Sequence, residues 1–112
     1  MRIYCAGKLN GSDATEYLRN VHKMISVALE LKRKGHSPYV PALDLLIGIV
    51  AGDWDYKDYA NLNMDFVDVC EALFYISPSF GADKELARAK ELGKIIYTEM
   101  GQVPDDEPLL SR

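Results

Sequence analysis

The sequence has little of what marks several common classes of protein. It has two cysteines, Cys5 and Cys70, far apart and each in an apolar context, so they read as buried thiols. No other ligand cluster accompanies them, so neither zinc nor another metal or cofactor is expected. No basic block occurs beyond Lys32-Arg-Lys34, and the formal net charge is -4. A polymer of nucleic acid needs clustered Lys and Arg for its phosphates, so that partner is excluded, while a small anionic ligand is not. The longest apolar run, Leu45 to Ala51, is far too short to span a membrane. Met1 to Ala6 reads as a strand and not as a signal peptide, and a cytoplasmic location is expected. Repeats, low-complexity tracts and linkers are absent.

What is present suits one folded domain over residues 1–112, with about 101–112 as a polar, proline-containing tail or arm. Hydrophobic residues make up 48% and charged ones 27%, which disfavours a disordered chain. Arg2 to Ala6 is a short strand that ends at Gly7. Lys8 to Ser12 are turn formers. Asp13 and Glu16 have capping-box spacing, and an apolar stripe from Ala14 through Tyr17, Val21, Met24 and Ala28 predicts a long helix. Lys32-Arg-Lys34 and Gly35 suit its C-terminal end. His36 to Pro41 reads as a second strand, with His36 expected at the surface. Ala42 to Gly52 is a short helix or a loop over a pocket. A second long helix opens at Asp53, with Tyr56, Tyr59, Leu62, Phe66, Val69 and Cys70 as its expected inner face. Asp65 is placed beside that face, where an acid needs a partner. A strand at Ala72–Ile76, a helix at Ala82–Leu92 and a strand at Lys94–Thr98 complete the pattern.

Such β-α alternation implies an α/β, Rossmann-like (flavodoxin-like) three-layer fold. Its sheet is parallel, with at least four strands in the order 2-1-3-4. The order reverses between the first and third strands, and ligands bind beyond the carboxyl ends of strands at such a switch. The loops there are Gly7–Ser12 and Ser77–Gly81. Glu85 follows the second of them in the first turn or so of a helix, where free N–H groups and the helix dipole favour a carboxylate anion. The same N–H groups suit a phosphate.

Three motifs resemble the nucleoside 2-deoxyribosyltransferase-like superfamily, which includes deoxynucleoside 5′-monophosphate N-glycosidases and small phage and bacterial members. Tyr4-x-x-Gly7 followed by Gly11 is similar to the first strand and Gly-rich loop. Asp65, seven residues before Ala72, resembles a helix-borne acid. Ser79-x-Gly81-x-x-x-Glu85-Leu86-x-x-Ala89 resembles the nucleophile motif. Together they span residues 4 to 97. The departures are a short loop between Ile76 and Ser79, Lys8 and Asn10 in the phosphate loop, a short C-terminus, and a Trp54-containing stretch nearer to the phage-type members.

The resemblance implies that Glu85 attacks the anomeric carbon of a deoxyribosyl group while the base leaves, with Tyr4 orienting Glu85. Asp65 would protonate the base or hold the sugar hydroxyl. Gly7, Lys8, Asn10, Gly11, Ser79 and Gly81 would bind the substrate and its phosphate. Nucleoside transferases place a carboxylate where Ser79 stands, and a neutral serine there is compatible with a 5′-phosphate. The implied activity is hydrolysis of the N-glycosidic bond of a nucleoside 5′-monophosphate. The alternatives are a nucleoside 2-deoxyribosyltransferase or a non-catalytic nucleotide-binding module. A homo-oligomer is expected, since relatives complete one another's sites.

Overall fold

The computed structural model describes residues 1–107. Four strands form one parallel sheet in the order β2-β1-β3-β4: β1 is Arg2–Ala6, β2 Ser37–Tyr39, β3 Ala72–Tyr75 and β4 Ile95–Tyr97. The order is the one that alternation and right-handed crossovers predict. Four helices connect the strands: α1 Ala14–Arg33, α2 Leu45–Ala51, α3 Tyr56–Val69 and α4 Phe80–Glu91. The two-residue period of a strand then divides the core. Ile3, Cys5, Ala72, Phe74 and Tyr97 pack with Met24, Ala28 and Leu31 of α1. Tyr4, Ala6 and Leu73 face the other way, toward Val67 of α3 and Ala82 and Ala89 of α4. Both cysteines are buried free thiols. Burial holds the Cys5 thiol up at about 12 and Cys70 at about 11.

The helix ends follow from local chemistry. Asp13 caps α1 by accepting from the Glu16 amide at 2.8 Å, but Glu16 reaches past it to the Ser12 amide and hydroxyl at 3.1 and 2.8 Å. At the other end Gly35 adopts φ 95°, the left-handed conformation that stops a helix. A Cβ there would stand 1.9 Å from the Asp106 carbonyl oxygen. In α3 the reciprocal box is made by Asp55 and Asp58, which starts the helix at Tyr56 instead of Asp53. Ser79 caps α4 by accepting from the Ala82 amide at 3.0 Å, so α4 begins at Phe80, two residues before the expected start.

Two expectations are corrected. His36 is 1% exposed, not a surface residue. Its Nδ1 accepts from the Met1 ammonium at 2.9 Å and its Nε2 donates to the Pro104 carbonyl at 2.6 Å, which makes it a buried structural link. The phase of α3 is the second. Phe66 and Val69 are 37% and 50% exposed, and the buried position is Val67. The helix turns Tyr59, Asn63 and Val67 inward at i, i+4 and i+8, and so carries Asp65 to the opposite side.

The segment expected as a tail begins in a 3₁₀ turn, Met100–Gln102, and then crosses the end of α1. Val103 is buried, and its carbonyl accepts from Lys34 Nζ at 3.0 Å. The Asp106 amide donates to the Lys34 carbonyl at 2.7 Å. The remainder of that stretch, 108–112, lies outside the described residues. No helix among the described residues is long and apolar enough to cross a membrane.

Candidate active site

A cavity of about 810 Å³ opens where β1 and β3 end, at the point where the strand order reverses. Its floor comes from the loops after β1 and β3, its sides from α2 and α3, and its far wall from α4. The two loops are tied together, since the Lys8 amide donates to Ser77 Oγ at 2.9 Å. Gly7 is needed at that seam, because a Cβ would stand 3.1 Å from Ile76 Cβ and 3.3 Å from Ser77 Oγ.

Glu85 lies on the cavity wall and accepts a hydrogen bond from the Tyr4 hydroxyl. Tyr4 is 0% exposed, so the pair is held from below by the sheet. Strand parity aims Tyr4 at α4, and the second turn of α4 brings Glu85 round to meet it. Glu85 is in the second turn of α4, not the first, because Ser79 starts the helix early. The dipole effect falls off within the first turn, so the expected anion stabilisation by the helix end does not hold. Burial instead pushes the Glu85 carboxyl up to about 7, with the Tyr4 hydrogen bond opposing and the charge of Asp44 adding. Burial and the Glu85 charge together push the Tyr4 hydroxyl far above its ordinary range. Of the pair, Glu85 is therefore the member that gains and loses a proton near neutral pH, while Tyr4 keeps its hydroxyl hydrogen.

Of the other expected site residues, Gly7, Lys8, Asn10, Ser79 and Gly81 line the cavity. Lys8 is held in an ion pair with Glu16 at 3.3 Å, and Ser79 already accepts from the Ala82 amide, which leaves its hydroxyl hydrogen to donate. Gly11 lies outside the lining, exposed against α1, where a Cβ would meet Glu16 Cβ at 2.7 Å. Asp65 is not brought to Glu85. It is exposed and lines a separate groove between α3 and α4, near the Asp68–Arg88 pair with its hydrogen bonds of 2.9 and 3.0 Å.

Among the α3 side chains that line the cavity, Asn63 stands where an acid was expected. Its Oδ1 is the one buried side-chain polar atom without a hydrogen-bond partner among the described residues. Tyr59, one turn earlier, also lines the cavity and presses its hydroxyl against Gly48 of α2, where a Cβ would stand 1.7 Å away. Trp54 meets the Tyr59 ring edge-on with centroids 5.0 Å apart, and Tyr56 and Phe80 meet across the mouth at 5.9 Å. Flat apolar walls with a few polar groups suit a heteroaromatic ligand. The i, i+4 spacing of Tyr59 and Asn63 is the signal that sequence reasoning passed over. Among the described residues no group of three or more His, Cys, Asp or Glu could hold a metal ion.

With this geometry in hand, comparison with known proteins decides the family. The domain of unknown function DUF4406 matches residues 1–98. The chain belongs to the DUF4406 family. A solved structure with a similar fold is the 2-deoxyribosyltransferase from Leishmania mexicana, with 22% identity and a TM-score of 0.59. The match covers 85% of this chain and 61% of that one, so the DUF4406 chain spans less than two thirds of the length of this relative. No curated protein matches the chain. The fold of this chain is therefore similar to that of a 2-deoxyribosyltransferase.

Proposed function

We propose that this domain cleaves the N-glycosidic bond of a nucleoside 5′-monophosphate, with Glu85 as the nucleophile. The observation that carries the proposal is the Tyr4–Glu85 pair on the wall of an aromatic cavity at the switch point. The ionised Glu85 oxygen bonds to C1′ of the sugar as the C1′–N bond breaks, and its electron pair departs with the base. Tyr4 holds the other carboxylate oxygen and fixes the angle of attack. The base then takes a proton from solvent, since the amide of Asn63 is no acid and Asp65 faces another groove. A water attacks C1′ of the glycosyl-enzyme, gives up its proton and regenerates Glu85. If a second base attacks instead, the reaction is a transfer. The Leishmania protein is a 2-deoxyribosyltransferase, and transfer is the runner-up here.

A 5′-phosphate is favoured over a free hydroxyl because Ser79, at the mouth of α4, is a neutral donor. Free N–H groups of the first turn add to the attraction for an anion, and Lys8 lies nearby in its pair with Glu16. The binding module without chemistry is a second reading, and Asn63 favours it, because the cavity has an amide where an acid was expected. Assembly of copies belongs to the proposal too. The seven-residue α2 buries only Gly48 and leaves Leu46, Ile49 and Val50 at 69%, 62% and 87% exposure beside the cavity.

Incubation with each deoxynucleoside and its 5′-monophosphate, followed by chromatography for free base, tests the proposal. Release that disappears in Glu85→Gln supports it. Saturable binding with no release from any substrate leaves the module.

A further inference from the structure

The chemistry above uses Glu85 and Tyr4 and leaves a second buried carboxylate without a role. Asp44 is 5% exposed at the end of the 3₁₀ turn Pro41–Asp44, and no cation lies in ion-pair range of it among the described residues. Its one hydrogen-bond donor is the Tyr39 hydroxyl, at 3.0 and 3.2 Å from its two oxygens. A carboxylate buried without a cation is strongly destabilising unless something offsets it.

The sheet links Asp44 to the site. Tyr4 and Tyr39 are register partners on β1 and β2, and their rings stack with centroids 5.4 Å apart and planes at 24°. Phe66 of α3 continues the column on Tyr39 at 4.2 Å and 10°. Both hydroxyls of the column end on carboxylates, Tyr4 on Glu85 and Tyr39 on Asp44. Tyr39 cannot shift without sliding along the ring that seats Glu85.

We propose that Asp44 is a positioning residue for Glu85. By holding the Tyr39 hydroxyl it fixes the ring column behind Tyr4, and as a second buried carboxylate on the same side of the sheet it opposes the charging of Glu85. The groups that face Glu85 are Tyr4 from β1, Tyr39 from β2 and Asp44 from the turn. From α3, Tyr59 and the neutral Asn63 line the same cavity. Lys8 is paired with Glu16, Asp55 accepts from the Lys57 and Asp58 amides at the start of α3, Asp83 accepts from Tyr75 at 2.6 Å, and Lys84 sits over the Phe80 ring, so Asp44 is the charge that acts on Glu85. Burial lifts the Asp44 carboxyl above its usual range and the Tyr39 bond opposes the lift, while Asp44 in turn helps to hold Glu85 up.

The importance of this for turnover rests on the proposed role of Glu85, but the test does not. Carbon-13 NMR follows the Glu85 carboxyl through pH, with its signal assigned by loss in Glu85→Gln. In the unmodified chain the curve is centred near 7 and carries a smaller second step from Asp44. Asp44→Asn keeps an acceptor for Tyr39 but removes the charge, and the Glu85 midpoint falls by about half a pH unit or more. Tyr39→Phe removes the donor, so Asp44 keeps its proton to higher pH and its step in the Glu85 curve moves up with it. A folded Asp44→Asn with an unmoved midpoint overturns the proposal. If neither variant folds, a single-step Glu85 curve in the unmodified chain does the same. Absence of base release from the unmodified chain overturns the nucleophile reading alone and leaves these titration outcomes standing.

Discussion

Tyr4 and Glu85 are 81 positions apart in sequence and share one hydrogen bond at the wall of the cavity. Neither residue can move freely: Tyr4 is locked in the central strand β1, and Glu85 is fixed by the phase of α4. Substitution of Glu85 therefore tests function with little disturbance to the fold. Glu85→Gln is expected to lower base release from a deoxynucleoside monophosphate by about 10⁴-fold or more, as for nucleophiles that act as part of a unit. Affinity for the nucleotide, measured by calorimetry, should stay within about tenfold, because Gly7, Ser79 and Gly81 remain.

The raised carboxyl of Glu85 makes stability depend on pH. Its folded-state value, about 7, is above the ordinary 4.5, so the folded state holds the proton more tightly. The resulting stabilisation is complete below about pH 4.5 and is lost as pH rises through about 7. Urea unfolding of the unmodified chain should weaken across that window by on the order of 1–3 kcal/mol relative to Glu85→Gln. A constant difference between the two proteins from pH 4 to 8 would show that Glu85 is not buried as described. Glu16 works in the opposite sense. The Ser12 hydrogen bonds hold it down at about 2, so its contribution is present above 4.5 and lost as pH falls through about 2.

Asn63 and Asp65 separate the two faces of α3. Asp65→Asn alters an exposed groove and should leave base release within about twofold. Asn63→Ala removes the cavity's polar side chain on α3 and should lower kcat/KM by roughly 10–100-fold, the size of one or two lost hydrogen bonds to a ligand. Kinetics in which Asp65→Asn is the more damaging change would reverse the assignment.

The apolar face of α2 predicts a second copy against it. Light scattering at micromolar concentration should report at least a dimer. Leu46→Glu with Val50→Lys should give a folded monomer, since both side chains are exposed and hold no core. A monomeric unmodified chain would remove α2 as an interface.

The sheet was readable because it depends on short, regular periods, whereas the Tyr4–Glu85 pair was expected only from the motif resemblance. Strand parity sends Tyr4 and Ile3 to opposite faces, and one helix after a serine cap carries Glu85 back to the sheet. Asp65 failed for a different reason. In α3 aromatic residues lie on both sides, so the expected face through Tyr56, Tyr59, Leu62, Phe66, Val69 and Cys70 ran too wide and hid the narrower stripe through Tyr59, Asn63 and Val67. A polar residue at the centre of the buried stripe hides that stripe. The link from Asp44 through Tyr39 to Tyr4 was unreadable from local pattern, because the stacking of Tyr39 on Tyr4 depends on the register between parallel strands. Asp44 had one visible sign, a single acid inside an otherwise apolar window from Ala42 to Gly52.

The strand at the centre of the sheet is the first one in the chain, and its partner β3 begins at Ala72. Parallel pairing across so long a loop cannot form from local contacts, so it comes late and slowly. During synthesis the Arg2–Ala6 segment leaves the ribosome long before Ala72 and Glu85 exist to cover it. Ile3 and Cys5 can be covered by α1 in that interval, but Tyr4 and Ala6, 0% exposed in the finished fold, wait for α3 and α4. The residues that seat the carboxylate are thus also the ones the nascent chain must keep from other strands, and expression at lower temperature or with chaperones in excess is where that conflict will be visible.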